Sequence, residues 1–305
     1  MFEPPSLNPE VVVSHTSLLG EGPVWDGNSQ SIWWVDIFQG RVHQFNVPQR
    51  QHRQFNVGEM VSMVALCKNG KLLAALQSGL VLVDPETGEI KKLHDPEPHL
   101  PDNRFNDGKC DPAGRLWLGT MSLSGERGAG TVYLCDKDLG FSKKIENVTC
   151  PNGIAWDVNR KVFYFIDTPA FEVAAYNYDE QTGSITERRV AIKIPPEYGH
   201  PDGMTIDTDG MLWIAHWGGW QVTRWDPDTS RKSLSISLPV ALVTSCTFGG
   251  ADLHDLYITS AKTGLTTEQL ELQPLAGSLF VVRNCGFNGF PAVEFEFEST
   301  CEPSK

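Results

Sequence analysis

Three short segments recur at nearly even intervals: Asn106-Asp107-Gly108, Pro151-Asn152-Gly153 and Pro201-Asp202-Gly203. The step from Asn106 to Asn152 is 46 residues and that from Asn152 to Asp202 is 50. Spacings of roughly 40–50 residues match one four-stranded blade of a β-propeller. Each segment reads as a turn that stands ahead of a short apolar run and then an aromatic strand. The punctuation extends to both sides. Gly22-Pro23-Val24-Trp25 precedes Ser31-Ile32-Trp33-Trp34-Val35-Asp36, and Val61 to Leu66 precedes Lys68-Asn69-Gly70 and a second apolar run. Ser245-Cys246-Thr247-Phe248 precedes Asp255 to Ser260. Six such units predict an all-β fold, a six-bladed β-propeller with four antiparallel strands per blade.

The expected domain is single and spans residues 1–305, with a core of about 11–297 and a loose tail at 299–305. A ring of blades must join its ends, because an open sheet edge would expose unpaired backbone groups. Residues 11–14 and the alternating stretch 292–297 are the candidate closing strands.

Composition narrows the function classes. The 28 glycines and 20 prolines are spread along the chain, which suits many strands and turns rather than a linker. Nine tryptophans and 40% hydrophobic residues supply a sizeable core. A net charge of −13 argues against nucleic acid or an anionic membrane as partner. Seven cysteines without a CxxC or Cys/His pattern read as reduced thiols, with Cys67, Cys135 and Cys246 in apolar runs as small buried hydrophobes. No apolar run approaches the ~18 residues of a membrane span. The opening Met-Phe-Glu-Pro-Pro has no basic or apolar leader character. The expectation is a cytoplasmic protein, a monomer or weak homodimer.

Taken singly, Glu21, Asn106, Asn152 and Asp202 are ordinary turn residues. Their phase is the informative property. All four occupy the same early slot of different blades, whereas turn punctuation within the repeats falls later, at Asn69-Gly70, Ala113-Gly114 and Asp209-Gly210. Equivalent slots in a propeller face the channel mouth, so these oxygen-bearing side chains should converge there. Two carboxylates with amide carbonyls make a hard, oxygen-only set for one divalent cation: Ca²⁺, Mg²⁺, Mn²⁺ or Zn²⁺. Three or four protein ligands leave positions for water and substrate, as a catalytic site requires. Arg104, two residues before Asn106, shares its face if the segment is extended. The histidines show no HxxxH spacing, and there is no nucleophile elbow, phosphate loop or dinucleotide fingerprint.

These residues carry a resemblance. The chain resembles the regucalcin/gluconolactonase family, which includes senescence marker protein and luciferin-regenerating enzyme. The most specific stretch is Asn103-Arg104-Phe105-Asn106-Asp107-Gly108-Lys109, continued by Asp111-Pro112-Ala113-Gly114 and Gly119-Thr120-Met121. The resemblance implies that Glu21, Asn152 and Asp202 hold the metal. It also implies that Arg104 and Asn106 contact a sugar lactone and that Asp202 is the acid/base. Three positions past Met121, where many members carry a substrate-binding acid, this chain has Ser124. Glu126 is the nearby carboxylate placed to substitute for it.

The implied activity is metal-dependent hydrolysis of an aldonolactone to the aldonic acid, with xylono-, arabinono- and gluconolactone as equal candidates. One alternative is an esterase, phosphotriesterase or luciferin-regenerating hydrolase on the same scaffold. The other is a non-enzymatic calcium-binding regulatory propeller, which leaves Arg104 and the phased oxygens without a purpose.

Overall fold

The computed structural model describes residues 7–297; the expected tail at 299–305 lies outside the described residues. Strand β1 (Glu10–Val13) is reserved for closure. The first blade is β2 (Gly20–Asp26), β3 (Ser31–Asp36), β4 (Arg41–Asn46) and β5 (Gln51–Asn56). The second is β6 (Val61–Leu66), β7 (Leu72–Leu76), β8 (Gly79–Val83) and β9 (Ile90–His94). The third is β10 (Asn103–Cys110), β11 (Leu116–Ser122), β12 (Gly130–Cys135) and β13 (Phe141–Val148). The fourth is β14 (Pro151–Asp157), β15 (Val162–Asp167), β16 (Glu172–Asp179) and β17 (Ser184–Lys193). The fifth is β18 (His200–Ile206), β19 (Leu212–Trp217), β20 (Gln221–Asp226) and β21 (Arg231–Ser237). The sixth combines β22 (Val243–Gly249), β23 (Asp255–Ser260) and β24 (Leu279–Val282) with β1.

The inner strands β2, β6, β10, β14, β18 and β22 each touch the next, and β22 returns to β2, so the ring is closed. No helix of the described residues is long and apolar enough to cross a membrane.

The turn from inner to second strand explains a recurring sequence. In the third blade the Asp111 carboxylate accepts the Ala113 and Arg115 backbone N–H groups and the Trp117 indole N–H. Asp207 does the same in the fifth blade with Asp209, Met211 and Trp213. Arg115 and Arg224 neutralise these two buried carboxylates. An Asp at the turn therefore both shapes it and fixes a Trp in the core between blades.

Two sequence expectations need correction. The three repeated segments are not turns. Each lies inside an inner strand, where the register against the second strand slips: between Phe105 and Gly108, between Pro151 and Ile154, and between Pro201 and Met204. A β-bulge bends the strand and turns a side chain out of the alternation. The same slip follows Glu21.

The second correction concerns closure. β1 seals the ring by pairing with β24, with Val11 opposite Phe280, as expected for residues 11–14. Stretch 292–297 does not join that sheet. It runs as an extended strap across the far end of the channel, where Phe295 exchanges backbone hydrogen bonds with Leu66 and Lys68, at 2.7 and 3.1 Å. Upstream, the Asn288 carbonyl accepts the Thr208 N–H of the fifth blade. The alternation is real but reports burial. Phe295 is fully buried among Cys67, Leu116 and Tyr133, while Glu296 faces outward to Lys68 and Lys137.

Phe295→Ala should cost about 3–5 kcal/mol of unfolding free energy, the usual range for a buried Phe; denaturant titration measures it.

An imidazole cluster predicts an acid-sensitive stability. His43, fully buried, stacks on Trp34 and is hydrogen-bonded to His52, with His15 adjacent. Burial, then His15, His52 and Arg41, lowers the His43 pKa to about 3. Its folded value lies below its unfolded value, so the unfolded chain binds more protons below about pH 6.5. Stability should then fall as pH drops from about 6.5 towards 3. His43→Leu should flatten that slope by up to about 1.4 kcal/mol per pH unit relative to the parent, read from unfolding free energies across pH.

Candidate active site

Each inner strand enters the ring at the mouth of the channel and delivers its bulge there. The glycine that follows the functional residue allows the blades to meet. A Cβ on Gly153 would lie 2.5 Å from the Met204 Cβ, and one on Gly203 would lie 2.1 Å from the Ser245 Oγ. Both contacts reach into the next blade. Asn-Gly and Asp-Gly in these strands are thus close-approach pairs rather than turn formers.

Glu21, Asn106, Asn152 and Asp202 meet at the mouth, all nine-tenths or more buried. Glu21 and Asp202 are electrostatic neighbours across it, although β22 lies between their strands. The Glu21 carboxyl also accepts the N–H of its own following glycine, Gly22, at 2.9 Å. Burial, then the neighbouring carboxyls, holds both acids well above the ordinary carboxylate range. Two like groups in contact in a dry site cannot both ionise without a positive guest.

The orientation of both amides is fixed by backbone carbonyls. The Thr168 hydroxyl donates to the Pro201 carbonyl at 2.9 Å, so it can only accept from the Asn152 Nδ2 at 2.8 Å. Asn152 Oδ1 must then face the mouth, where it accepts from Asn106 Nδ2 at 3.0 Å and keeps a lone pair. Asn106 Nδ2 also donates to the Pro151 carbonyl, so its Oδ1 accepts from Arg104 Nη1 at 2.8 Å. Arg104 lies on the same face as Asn106, as the strand reading required.

Among the described residues no three His, Cys, Asp or Glu side chains form a metal-binding group. The set here is different: two carboxyls and an outward-facing amide oxygen. These are oxygen donors only, with a surplus of acid, and they fit a hard divalent cation.

Ser124 and Glu126 are exposed, on the loop 123–129 between β11 and β12, at the same end of the third blade. Ser124 bonds to Ser122 at 2.8 Å. Both belong to the rim and not to the buried cluster.

Several site residues escaped the sequence reading. Asp107 is a third acid facing the channel, its carboxylate accepting the Gly108 N–H. Lys109 sends its ammonium to the Ile154 and Met204 carbonyls, tying the third, fourth and fifth blades together beneath the site. Both follow Asn106 at alternate strand positions, which was the available signal. Cys150 sits 3.6 Å from Asn152 Nδ2. Below the acids the channel widens into a cavity of about 580 Å³ that the strap at 290–293 closes.

Fold and site together define a six-bladed propeller with a buried, oxygen-lined cluster at one mouth. A family model described as SMP-30/Gluconolactonase/LRE-like region matches residues 19–262. The chain belongs to this family. It is 38% identical over 264 residues to the putative sugar lactone lactonase YvrE of Bacillus subtilis, covering 87% of this chain and 90% of that protein. It is 37% identical over 295 residues to regucalcin of Gallus gallus, covering 95% and 99%. Among solved structures, a luciferin-regenerating enzyme aligns with TM-score 0.88 at 29% identity over 94% of this chain and 99% of that one. A calcium-binding regucalcin from Agrobacterium tumefaciens aligns with TM-score 0.88 at 30% identity, over 94% and 96%.

Thr168→Val should free the Asn152 amide to rotate while the fold is kept; under the metal-site reading proposed below this weakens divalent-cation affinity by roughly ten-fold, on the scale of one net hydrogen bond lost. Cation titration followed by calorimetry measures the change.

Proposed function

We propose that the protein is a metal-dependent sugar-lactone hydrolase that opens an aldonolactone to its aldonic acid. The observation that carries this reading is the buried Glu21–Asp202 carboxyl pair beside Asn152, three oxygen donors gathered at one mouth. The family membership, and a relative named as a sugar lactone lactonase, support it.

In this reading Glu21, Asn152 and Asp202 hold one divalent cation, of the group Ca²⁺, Zn²⁺, Mg²⁺ and Mn²⁺. When bound, such an ion supplies Lewis-acid polarisation of the lactone carbonyl and the positive charge that allows both carboxyls to ionise. The chain's own residues do the remaining work. Arg104 and Asn106 hold the ring hydroxyls and orient the carbonyl. Ser124 and Glu126, on the rim loop, reach the outer hydroxyls.

Asp202 acts as general base and takes a proton from the attacking water as its oxygen bonds to the carbonyl carbon. The bond from that carbon to the ring oxygen then breaks. Asp202 returns the proton to the departing alkoxide, and the product leaves as the acid. With a cation balancing the pair, the Asp202 carboxylate is ionised and free to take and return this proton.

Asp202→Ala should lower kcat by roughly 10²–10⁴, the contribution of a positioned acid/base. Glu21→Ala should abolish activity, whereas Arg104→Ala should act chiefly on KM. The measurement is pH-stat titration of several aldonolactones after chelation, with each cation restored in turn. Full turnover by Asp202→Ala with added metal contradicts the assigned role. Faster cleavage of aryl esters or organophosphates in the same panel favours the other hydrolase reading.

A further inference from the structure

The channel beneath the carboxyl pair holds a cavity for which the proposed reaction has no use. Its volume of about 580 Å³ falls within the roughly 300–1,000 Å³ of small-molecule sites. One ring of side chains sets its character. Three positions past the slot residue of each blade (Glu21, Ser62, Asn106, Asn152, Asp202 and Thr244) stand Val24, Ala65, Lys109, Ala155, Thr205 and Thr247, and all six are on the cavity wall. The phase that gathers oxygens at the mouth therefore gathers a different set one level down: three apolar side chains, two hydroxyls and one ammonium.

The polar members of this ring keep hydrogen-bonding capacity for a guest. Lys109 Nζ donates to the Ile154 and Met204 carbonyls at 3.0 and 2.8 Å, which engages two of its three N–H groups. The Thr205 and Thr247 hydroxyls, both on half-buried residues, form no hydrogen bond among the described residues. Donors and acceptors held away from bulk water cost free energy unless a partner satisfies them.

The rest of the wall is largely apolar. Leu66 and Ile206 continue it below the ring, and Phe290, Ala292 and Val293 of the strap floor it. The strap is anchored on both sides, by the Gly289 N–H to the Leu253 carbonyl at 3.0 Å and by the Phe295 N–H to the Leu66 carbonyl at 2.7 Å. Between these anchors, residues 290–294 form no backbone–backbone hydrogen bond among the described residues, and Phe290 is 51% exposed. This is the least tethered wall. With the mouth filled by buried acids and amides, it is the side from which a guest enters.

Charge on the wall is nearly balanced. Asp157 pairs with Arg160 at 3.3 Å, and Asp207 and Asp209 pair with Arg224 at 2.7 and 2.8 Å. The two charges left, Asp107 and Lys109, are of opposite sign and face the same space. A guest carboxylate drawn to Lys109 is repelled by Asp107, and a guest ammonium drawn to Asp107 is repelled by Lys109. A hydroxyl meets neither penalty: it accepts from Lys109 and donates to a threonine oxygen.

We infer that the channel cavity is a second binding site, for a neutral molecule with an apolar body and a hydroxyl head, held by Lys109, Thr205 and Thr247 and floored by the strap. This site is separate from the carboxyl pair and does not depend on the lactonase reading.

The test uses the full chain, Nile red as a neutral fluorescent probe, and octanol, octanoate and octylammonium as competitors of equal chain length. Nile red should bind saturably, one per chain, and octanol should displace it at a lower concentration than either ion. Thr205→Val with Thr247→Val, which keeps shape and removes both hydroxyls, should weaken octanol binding by roughly three- to ten-fold, the scale of one net hydrogen bond. Thr247→Phe, which fills the cavity, should abolish binding of dye and alcohol while the unfolding midpoint is kept. Should Thr247→Phe fail to fold, the double valine variant decides alone. The site is overturned by a parent chain without saturable binding, by an ion that displaces the dye at lower concentration than octanol, by an unchanged octanol affinity in the double valine variant, or by dye binding that survives in folded Thr247→Phe.

Discussion

The juxtaposition of the buried Glu21 and Asp202 carboxyls is the constraint on which the site depends. These carboxyls come from the first and fifth blades, with the sixth between them, and they meet only because the ring closes. Pairing of β1 with β24 is what closes it. Tertiary closure is therefore converted into local electrostatics. Two acids are held in contact, away from water, with Arg104 and Lys109 as the basic groups nearest by. Such an arrangement is unfavourable by itself and becomes favourable when a cation is bound.

The surrounding structure serves to hold that geometry. Hydroxyls in the equivalent slots of the second and sixth blades bond to the next blade's backbone, Ser62 to Phe105 and Thr244 to Gly20, the latter at 2.6 Å. Thr168 and Asn106 make the corresponding links to Pro201 and Pro151. Successive inner strands are thus stitched by side chains at the same level as the carboxyl pair. Below them, Lys109 and the strap fix the channel from the far end.

Much of this was legible in the sequence because a propeller is periodic. Phase alone picked Glu21, Asn106, Asn152 and Asp202 from many turn-like residues, and the structure gathers all four. Phase did not reveal why glycine directly follows Glu21, Asn152 and Asp202. The Gly203 contact with Ser245 involves a strand more than 40 residues away, which no local rule reports. The same limit hid the bulges, since Asn-Asp-Gly has the composition of a turn whether or not its strand continues. The alternation at 292–297 was read as strand pairing because period two marks alternate burial. It carries no information about the partner, which is the channel floor. Asp107 and Lys109 were passed over since their role needs neighbouring blades: Lys109 is bound to carbonyls 45 and 95 residues further on.

The central claim is that Glu21 and Asp202 act as one unit toward one ion, and a double-mutant cycle on divalent-cation binding addresses it most directly. Affinity is measured by equilibrium dialysis for the parent, Glu21→Gln, Asp202→Asn and the double variant. Each single change is predicted to lose nearly as much affinity as both together, with one ion bound per parent chain. Additive losses, or a single variant that binds as tightly as the parent, would contradict a shared site.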